Sequence, residues 1–112
     1  MSLKHLVLAL SAVTLAACSS DPSGPSGGHS TTISVSNNFF NPTPDTVPAG
    51  GVTFSWSNAS NSHNVTWDSG PSSPANSSTM TSGTFPVTLV QGTYHYHCTI
   101  HGVSMSGTIV VQ

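Results

Sequence analysis

The sequence predicts an all-β sandwich or barrel of seven or eight short strands. From Thr32 onward, apolar and polar residues alternate with the period of half-buried strands, and no stretch shows helical apolar spacing over a useful length. Turns rich in Gly, Pro and Asn separate these stretches, as is typical of β-sandwiches. The 112 residues suffice for one compact domain and leave little room for a second.

Residues 1–17 are typical of an export signal peptide. Lys4 and His5 precede an apolar run from Leu6 to Ala17 that only Ser11 and Thr14 interrupt. Because the run is too short to cross a bilayer comfortably, a transmembrane anchor is the weaker interpretation.

The segment Leu15-Ala16-Ala17-Cys18 resembles the lipobox of bacterial lipoproteins, in which the Cys becomes the lipid-bearing first residue after cleavage. We therefore expect lipidation at Cys18 and an exported protein, anchored by lipid alone on the periplasmic or extracellular face of the cell envelope. By the same resemblance, Ser19 after the Cys favours the outer membrane in a two-membrane bacterium. The alternative is a coincidental Cys beside an ordinary cleavage site.

Residues 18–31 are predicted to be the lipidated N-terminus and a flexible tether, because they are rich in Gly, Ser and Pro and lack an apolar period. His29 is expected to be solvated there. The folded domain is predicted to occupy residues 32–112.

Apolar residues at every second position mark the strands in chain order. Pro86 lies within one of them and favours the edge of a sheet for it. The stretch from Asp68 to Gly83 contains two Pro and many Ser, and is predicted to be a loop with one turn around residues 75–80. The strand positions are Ile33 and Val35; Val52, Phe54 and Trp56; Val65 and Trp67; Phe85, Val87 and Leu89; Tyr94, Tyr96 and Cys98; Ile109 and Val111.

Four soft or borderline donors indicate a metal site: Cys98, His101 and Met105 near the end of the chain, and His63 upstream. A thiolate and two imidazoles in a plane, with a weak thioether above it, form the donor set of copper electron-transfer sites. Zinc prefers a fourth strong ligand, which Met does not provide. With Cys18 acylated, Cys98 has no disulfide partner, so metal ligation is the leading explanation for it.

Three segments carry a resemblance to a known family: His63-Asn64-Val65, Tyr94-x-Tyr96-x-Cys98-x-x-His101 and Met105-x-Gly107-x-Ile109-x-Val111. Phe39, Phe40, Pro42 and the strand from Gly50 to Asn58 match the same family. Over residues 31–112 the chain thus resembles the cupredoxins of the plastocyanin and azurin type.

The resemblance implies a Greek-key β-sandwich with one copper ion that cycles between Cu(I) and Cu(II) at one end. It also implies that His63, Cys98 and His101 are equatorial ligands, that Met105 is the weak axial ligand, and that Asn64 bridges the two ligand loops by hydrogen bonds.

The spacing between His101 and Met105 departs from the resemblance. Plastocyanins have four residues between these ligands and a class related to amicyanin has two, whereas this chain has Gly102, Val103 and Ser104. The axial distance and the redox potential therefore cannot be transferred from either class.

Each of these residues also has a structural interpretation. His63 and Met105 are candidates for ordinary core residues, and Cys98 for a small buried hydrophobe. Tyr94 and Tyr96 share the face of Cys98 and are expected to be core aromatics.

His95 and His97 are expected on the opposite face of the same strand, because side chains alternate. Two imidazoles at i and i+2 can chelate a divalent ion weakly, and the alternative is two exposed histidines without a ligand. His97 also precedes Cys98, a position from which electrons could leave along the chain.

Composition argues against nucleic-acid binding and catalysis. From Cys18 onward the chain has three Asp and no Lys, Arg or Glu, so no basic patch can form. Asp45 and Asp68 have no carboxylate neighbour in sequence and are expected at turns or the surface, so paired-acid catalysis has no support. The sequence shows no oxyanion-hole pattern that would support Cys98 as a nucleophile. Thr99 stands where a multicopper oxidase has a second histidine beside the Cys, which argues against an oxidase.

The expected function is therefore that of a monomeric, non-enzymatic carrier of single electrons that docks briefly with other redox proteins. The alternative is a copper-binding protein for storage, delivery or resistance, without electron-transfer turnover.

Overall fold

The structure, a computed structural model, describes residues 27–57 and 61–112. The predicted signal peptide, Cys18 and most of the predicted tether lie outside the described residues. Within them, eight strands follow one another without a helix, so none of this part of the chain is an apolar helix able to cross a membrane. The strands are β1 (Thr32–Ser36), β2 (Phe39–Asn41), β3 (Asp45–Val47), β4 (Gly50–Trp56), β5 (Thr66–Ser69), β6 (Gly83–Leu89), β7 (Gly92–Cys98) and β8 (Gly102–Val111).

The strands form two four-stranded sheets, ordered β2-β1-β4-β6 and β3-β8-β7-β5. The pairs β1–β4 and β3–β8 are parallel, whereas the other neighbours are antiparallel. Successive strands from β2 to β7 lie alternately in the two sheets, so the chain crosses between the sheets several times. Such crossovers join the parallel neighbours, which a tight turn cannot do. The predicted all-β Greek-key sandwich is thereby confirmed.

Side chains from the inner faces of both sheets meet around Tyr96. Its ring makes edge-to-face contacts with Phe40, Phe54 and Trp67, at centroid distances of 4.8, 5.2 and 5.5 Å. A Cβ on Gly107 would lie 2.3 Å from the Tyr96 hydroxyl, so only glycine fits opposite this ring. Tyr94 and Tyr96 are fully buried, as expected of core aromatics.

The β6 strand, which contains Pro86, is an edge strand as predicted. The long stretch after β5 is irregular, but it forms no turn at residues 75–80. Instead, Ser77 runs beside Val65: the Ser77 N–H donates to the Val65 carbonyl (3.0 Å), and the Val65 N–H donates to the Ser77 hydroxyl (2.8 Å). Val65 thus lies before β5 rather than in it.

Asp45 corrects one expectation, since it is fully buried rather than at a turn or the surface. It begins β3, which sequence periodicity missed because three residues are too few to show a period. Its Oδ1 accepts a hydrogen bond from the Ser30 N–H (2.9 Å), and burial raises the pKa of this carboxyl. Gly28 pairs with the same strand, so the last residues of the predicted tether are attached to the domain.

Candidate metal centre

His63 is held rigidly at one end of the sandwich. Its N–H donates to the Met80 carbonyl (3.0 Å) and its carbonyl accepts from the Met80 N–H (2.9 Å). The same carbonyl accepts a hydrogen bond from the Trp56 indole (3.1 Å). The imidazole is fully buried, so the main chain and the core together fix its position.

Cys98 ends β7 with its side chain inside the sandwich, as strand alternation predicts. Its Sγ lies 3.9 Å from His63 Nδ1, although the two residues are 35 positions apart. The register shifts between His97 and Cys98, and Cys98 then pairs with Gly102, so residues 99–101 form a tight connection. That connection places the His101 ring 4.9 Å from the His63 ring, centroid to centroid.

Met105 points inward from β8 and is almost fully buried in the same hydrophobic core as Cys98. Both the axial-ligand hypothesis and the core-residue alternative are compatible with this burial. Its role as a ligand stays a prediction.

The imidazoles are in a state suited to metal ligation. Asn37 Oδ1 lies 3.3 Å from His63 Nε2, which favours a proton on Nε2 and leaves the Nδ1 lone pair on the Cys98 side. Burial lowers the pKa of His63, and the nearby His101 lowers it further; both effects favour the neutral imidazole. His101 Nε2 is buried without a hydrogen-bond partner, and a metal ion could satisfy such an atom.

The chemistry of these four donors fits a soft metal ion, but the structure brings them together only in part. Across residues 27–57 and 61–112, no three His, Cys, Asp or Glu side chains are arranged to hold a metal ion. The structure brings His63 close to Cys98 and to His101 as two pairs. The complete four-ligand site therefore stays a prediction.

Asn64 ties the His63 segment to the loop that follows Cys98. Its Oδ1 accepts from the Thr99 N–H (3.0 Å), and its Nδ2 donates to the Thr99 hydroxyl (2.7 Å) and to the Thr79 hydroxyl (3.1 Å). Asn64 is buried, so these bonds are largely protected from water. These are hydrogen bonds of the kind that the sequence resemblance implies for Asn64, and its role beside a metal ion stays a prediction.

Three further residues belong to this network without being predicted from the sequence: Asn37, Thr79 and Thr99. The position of Thr99 next to Cys98 is a signal from which its role could be predicted. Asn37 and Thr79 carry no such signal, because turns and Ser- or Thr-rich loops commonly contain these residue types.

The surface next to the candidate site is apolar. Ile100 is 54 % exposed and Val103 is 85 % exposed, and they flank the partly exposed His101. Among the described residues, Asp45 and Asp68 are the only Asp, Glu, Lys or Arg residues, and neither belongs to this loop. The patch formed by Ile100, His101 and Val103 thus offers shape and apolar contact rather than charge.

His95 and His97 lie on the outer face of β7, as the alternation predicts, and take no part in the buried site. His95 is exposed and His97 partly exposed. His95 Nδ1 lies 3.1 Å from the Thr108 hydroxyl, and His97 Nδ1 lies 2.7 Å from Asp68 Oδ1.

Known proteins share this architecture. A purple cupredoxin from Nitrosopumilus maritimus is 24 % identical, with a TM-score of 0.61, and the match covers 72 % of this chain and 98 % of that one. A reduced single-residue variant of amicyanin is 25 % identical, with a TM-score of 0.59 and coverages of 80 % and 87 %. A Cu-containing nitrite reductase from Thermus scotoductus SA-01 is 23 % identical, with a TM-score of 0.60.

The nitrite reductase is much larger, since the match covers 80 % of this chain but only 23 % of that protein. No curated protein matches the chain. The family described as "Cupredoxin-like domain" matches residues 6–111, which is nearly the whole sequence. The chain therefore belongs to the family of cupredoxin-like domains.

Proposed function

We propose that this protein carries single electrons through one type 1 (blue) copper ion held by His63, Cys98, His101 and Met105. The observation that carries the proposal is the buried contact of Cys98 Sγ with His63 Nδ1, 3.9 Å apart, with the His101 ring beside it. Family membership supports a small copper electron-transfer protein. When bound, copper supplies a one-electron couple between Cu(II) and Cu(I).

The chain's own contribution is a rigid, dry pocket. The core excludes water from Cys98, while the Met80 main chain holds His63 in place. Asn64 holds the Cys98 loop against the His63 segment, so the donors keep their positions when charge changes. Because the donors move little when the electron is transferred, the activation barrier to electron transfer is low.

Electrons enter or leave through the patch formed by Ile100, His101 and Val103. An apolar, nearly uncharged surface suits brief docking with other redox proteins, because no dense charge has to be matched and desolvated. We propose a monomer for the same purpose, since a stable self-association would cover this patch.

The absorption spectrum of the protein loaded with Cu(II) tests the proposed site. An intense visible thiolate-to-copper band is expected, and Cys98→Ser should abolish it. His63→Gln should strongly weaken it, whereas His29→Gln, a matched change at an exposed histidine, should not. A colourless Cu(II) complex in the parent protein would refute the type 1 site.

Electrochemistry separates a carrier from a copper storage, delivery or resistance protein. A carrier gives fast, reversible reduction at one potential and keeps its Cu(I) when a soluble Cu(I) chelator is added. Slow reduction with ready transfer of Cu(I) to the chelator would instead favour copper handling.

We also propose that the protein is exported and anchored through a lipid on Cys18, which lies outside the described residues. Mass spectrometry of the membrane fraction should find the chain beginning at a lipidated Cys18. Cys18→Ala should release it from the membrane, and an unmodified Cys18 in the mature protein would overturn the proposal.

A further inference from the structure

We propose a second, divalent-metal site on the outer face of β7, formed by the Nε2 atoms of His95 and His97. It is separate from the buried centre, because the alternation of β7 turns these side chains away from the core that contains Tyr96 and Cys98. The inference does not rest on the proposed electron-transfer function, since neither residue is a proposed copper ligand.

Each of the two rings has a partner on its Nδ1 atom. His95 Nδ1 is 3.1 Å from the Thr108 hydroxyl on β8, and His97 Nδ1 is 2.7 Å from Asp68 Oδ1 on β5. Metal-binding histidines commonly present one ring nitrogen to the ion while the other contacts a hydroxyl, carbonyl or carboxylate. Because Nδ1 is engaged in each ring, Nε2 is the nitrogen left to bind an ion.

Asp68 is the residue that makes His97 suitable. The β5–β7 register is irregular between Trp67 and Ser69, and this bulge brings the Asp68 carboxylate beside His97 Nδ1. A carboxylate at this distance favours a proton on Nδ1, which leaves the Nε2 lone pair for a metal ion. The ring remains 22 % exposed overall, so its accessible part lies away from Nδ1.

The donor chemistry indicates the class of ion. Two neutral imidazoles suit Ni(II), Cu(II) or Zn(II) rather than Mg(II) or Ca(II), which prefer oxygen ligands. Two protein ligands, His95 and His97, bind the ion directly. Water completes the coordination, and Asp68 partly balances the charge of the ion from beside His97.

Nuclear magnetic resonance of the 15N-labelled protein, free of any histidine tag, tests the site with Ni(II) as the probe. Paramagnetic broadening should begin at the backbone signals of His95, His97 and Asp68 and saturate there. Because the readout is residue by residue, Ni(II) entering the buried centre would be recognised by broadening at Asn64 and Thr99. Failure of the two proposals is thus distinguishable.

Three variants make the test sharp. His95→Ala should remove the selective broadening, and Asp68→Asn should weaken the apparent affinity about 10- to 100-fold, as loss of a residue that positions a ligand does. His29→Ala, a change at another exposed histidine, should leave the titration unchanged. Equal broadening around His29 and β7, or an unaltered response in His95→Ala, would overturn the proposal.

Discussion

The hydrogen bonds of Asn64 give a quantitative prediction for the metal-free protein. Asn64→Ala deletes three hydrogen bonds of 3.1 Å or shorter, two to Thr99 and one to Thr79, besides a longer one that the Thr66 hydroxyl donates (3.3 Å). Each such bond contributes about 0.5–1.5 kcal/mol net to folding, so the free energy of unfolding should fall by about 3 kcal/mol. Thr79→Val removes one of the three and should cost about 1 kcal/mol.

Equilibrium unfolding in guanidinium chloride, followed by tryptophan fluorescence, measures both variants. The transition midpoint should shift without a change in slope, because the folded core remains the same. The double variant Asn64→Ala/Thr79→Val should lose less stability than the sum of the two single losses. The difference should be about 1 kcal/mol, because Asn64 and Thr79 share one hydrogen bond.

A loss below about 1 kcal/mol for Asn64→Ala would refute this reasoning, since three such bonds should together contribute more than one typical bond. An equal loss in Asn64→Ala and Thr79→Val would refute the bridge to Thr99 in particular. In the Cu(II)-loaded protein, Asn64→Ala should also shift the visible band and the reduction potential, whereas a role in folding alone would leave both unchanged.

Four further predictions address the core, the buried acid, the axial position and the surface. Gly107→Ala should destabilise the protein by about 1–3 kcal/mol, because the added Cβ would overlap Tyr96. Gly51→Ala should not destabilise it in this way, because a Cβ there meets no atom within 4 Å. Equal denaturation midpoints for the two variants would contradict this prediction. Because the pKa of Asp45 is raised on folding, its contribution to stability is present at acid pH and is lost as the pH rises through the raised pKa. Asp45→Asn should therefore flatten that part of the curve of unfolding free energy against pH. Parallel curves for the two proteins would contradict this prediction. Met105→Leu should keep the visible band and raise the reduction potential, so an unchanged potential would favour Met105 as an ordinary core residue. Electron exchange with an uncharged redox partner near pH 7.5, measured by stopped flow, should change less than about threefold with ionic strength, because little charge is available for steering. A steep dependence would contradict the docking proposal.

Local chain geometry made much of this protein predictable from sequence. A period of two residues separates the inward Tyr94, Tyr96 and Cys98 from the outward His95 and His97, and the structure keeps that division. Pro86 has no backbone N–H to donate to a neighbouring strand, which predicts an edge position for its strand, and β6 lies at an edge. The family resemblance predicts hydrogen bonds from Asn64 to the other ligand loop, and Asn64 is bonded to Thr99.

Contacts between distant segments were decided only by the tertiary structure. Asp45 lies in a three-residue strand, too short to show a period, and its burial depends on Ser30 and on the neighbouring β8. Asn37 reaches His63, and Thr79 reaches Asn64, because crossovers between the two sheets bring their segments together. Asp68 meets His97 only through a bulge in strand pairing. Alternation is a property of one strand and can be read along the chain, whereas these contacts depend on the register between strands, which packing of the whole core determines.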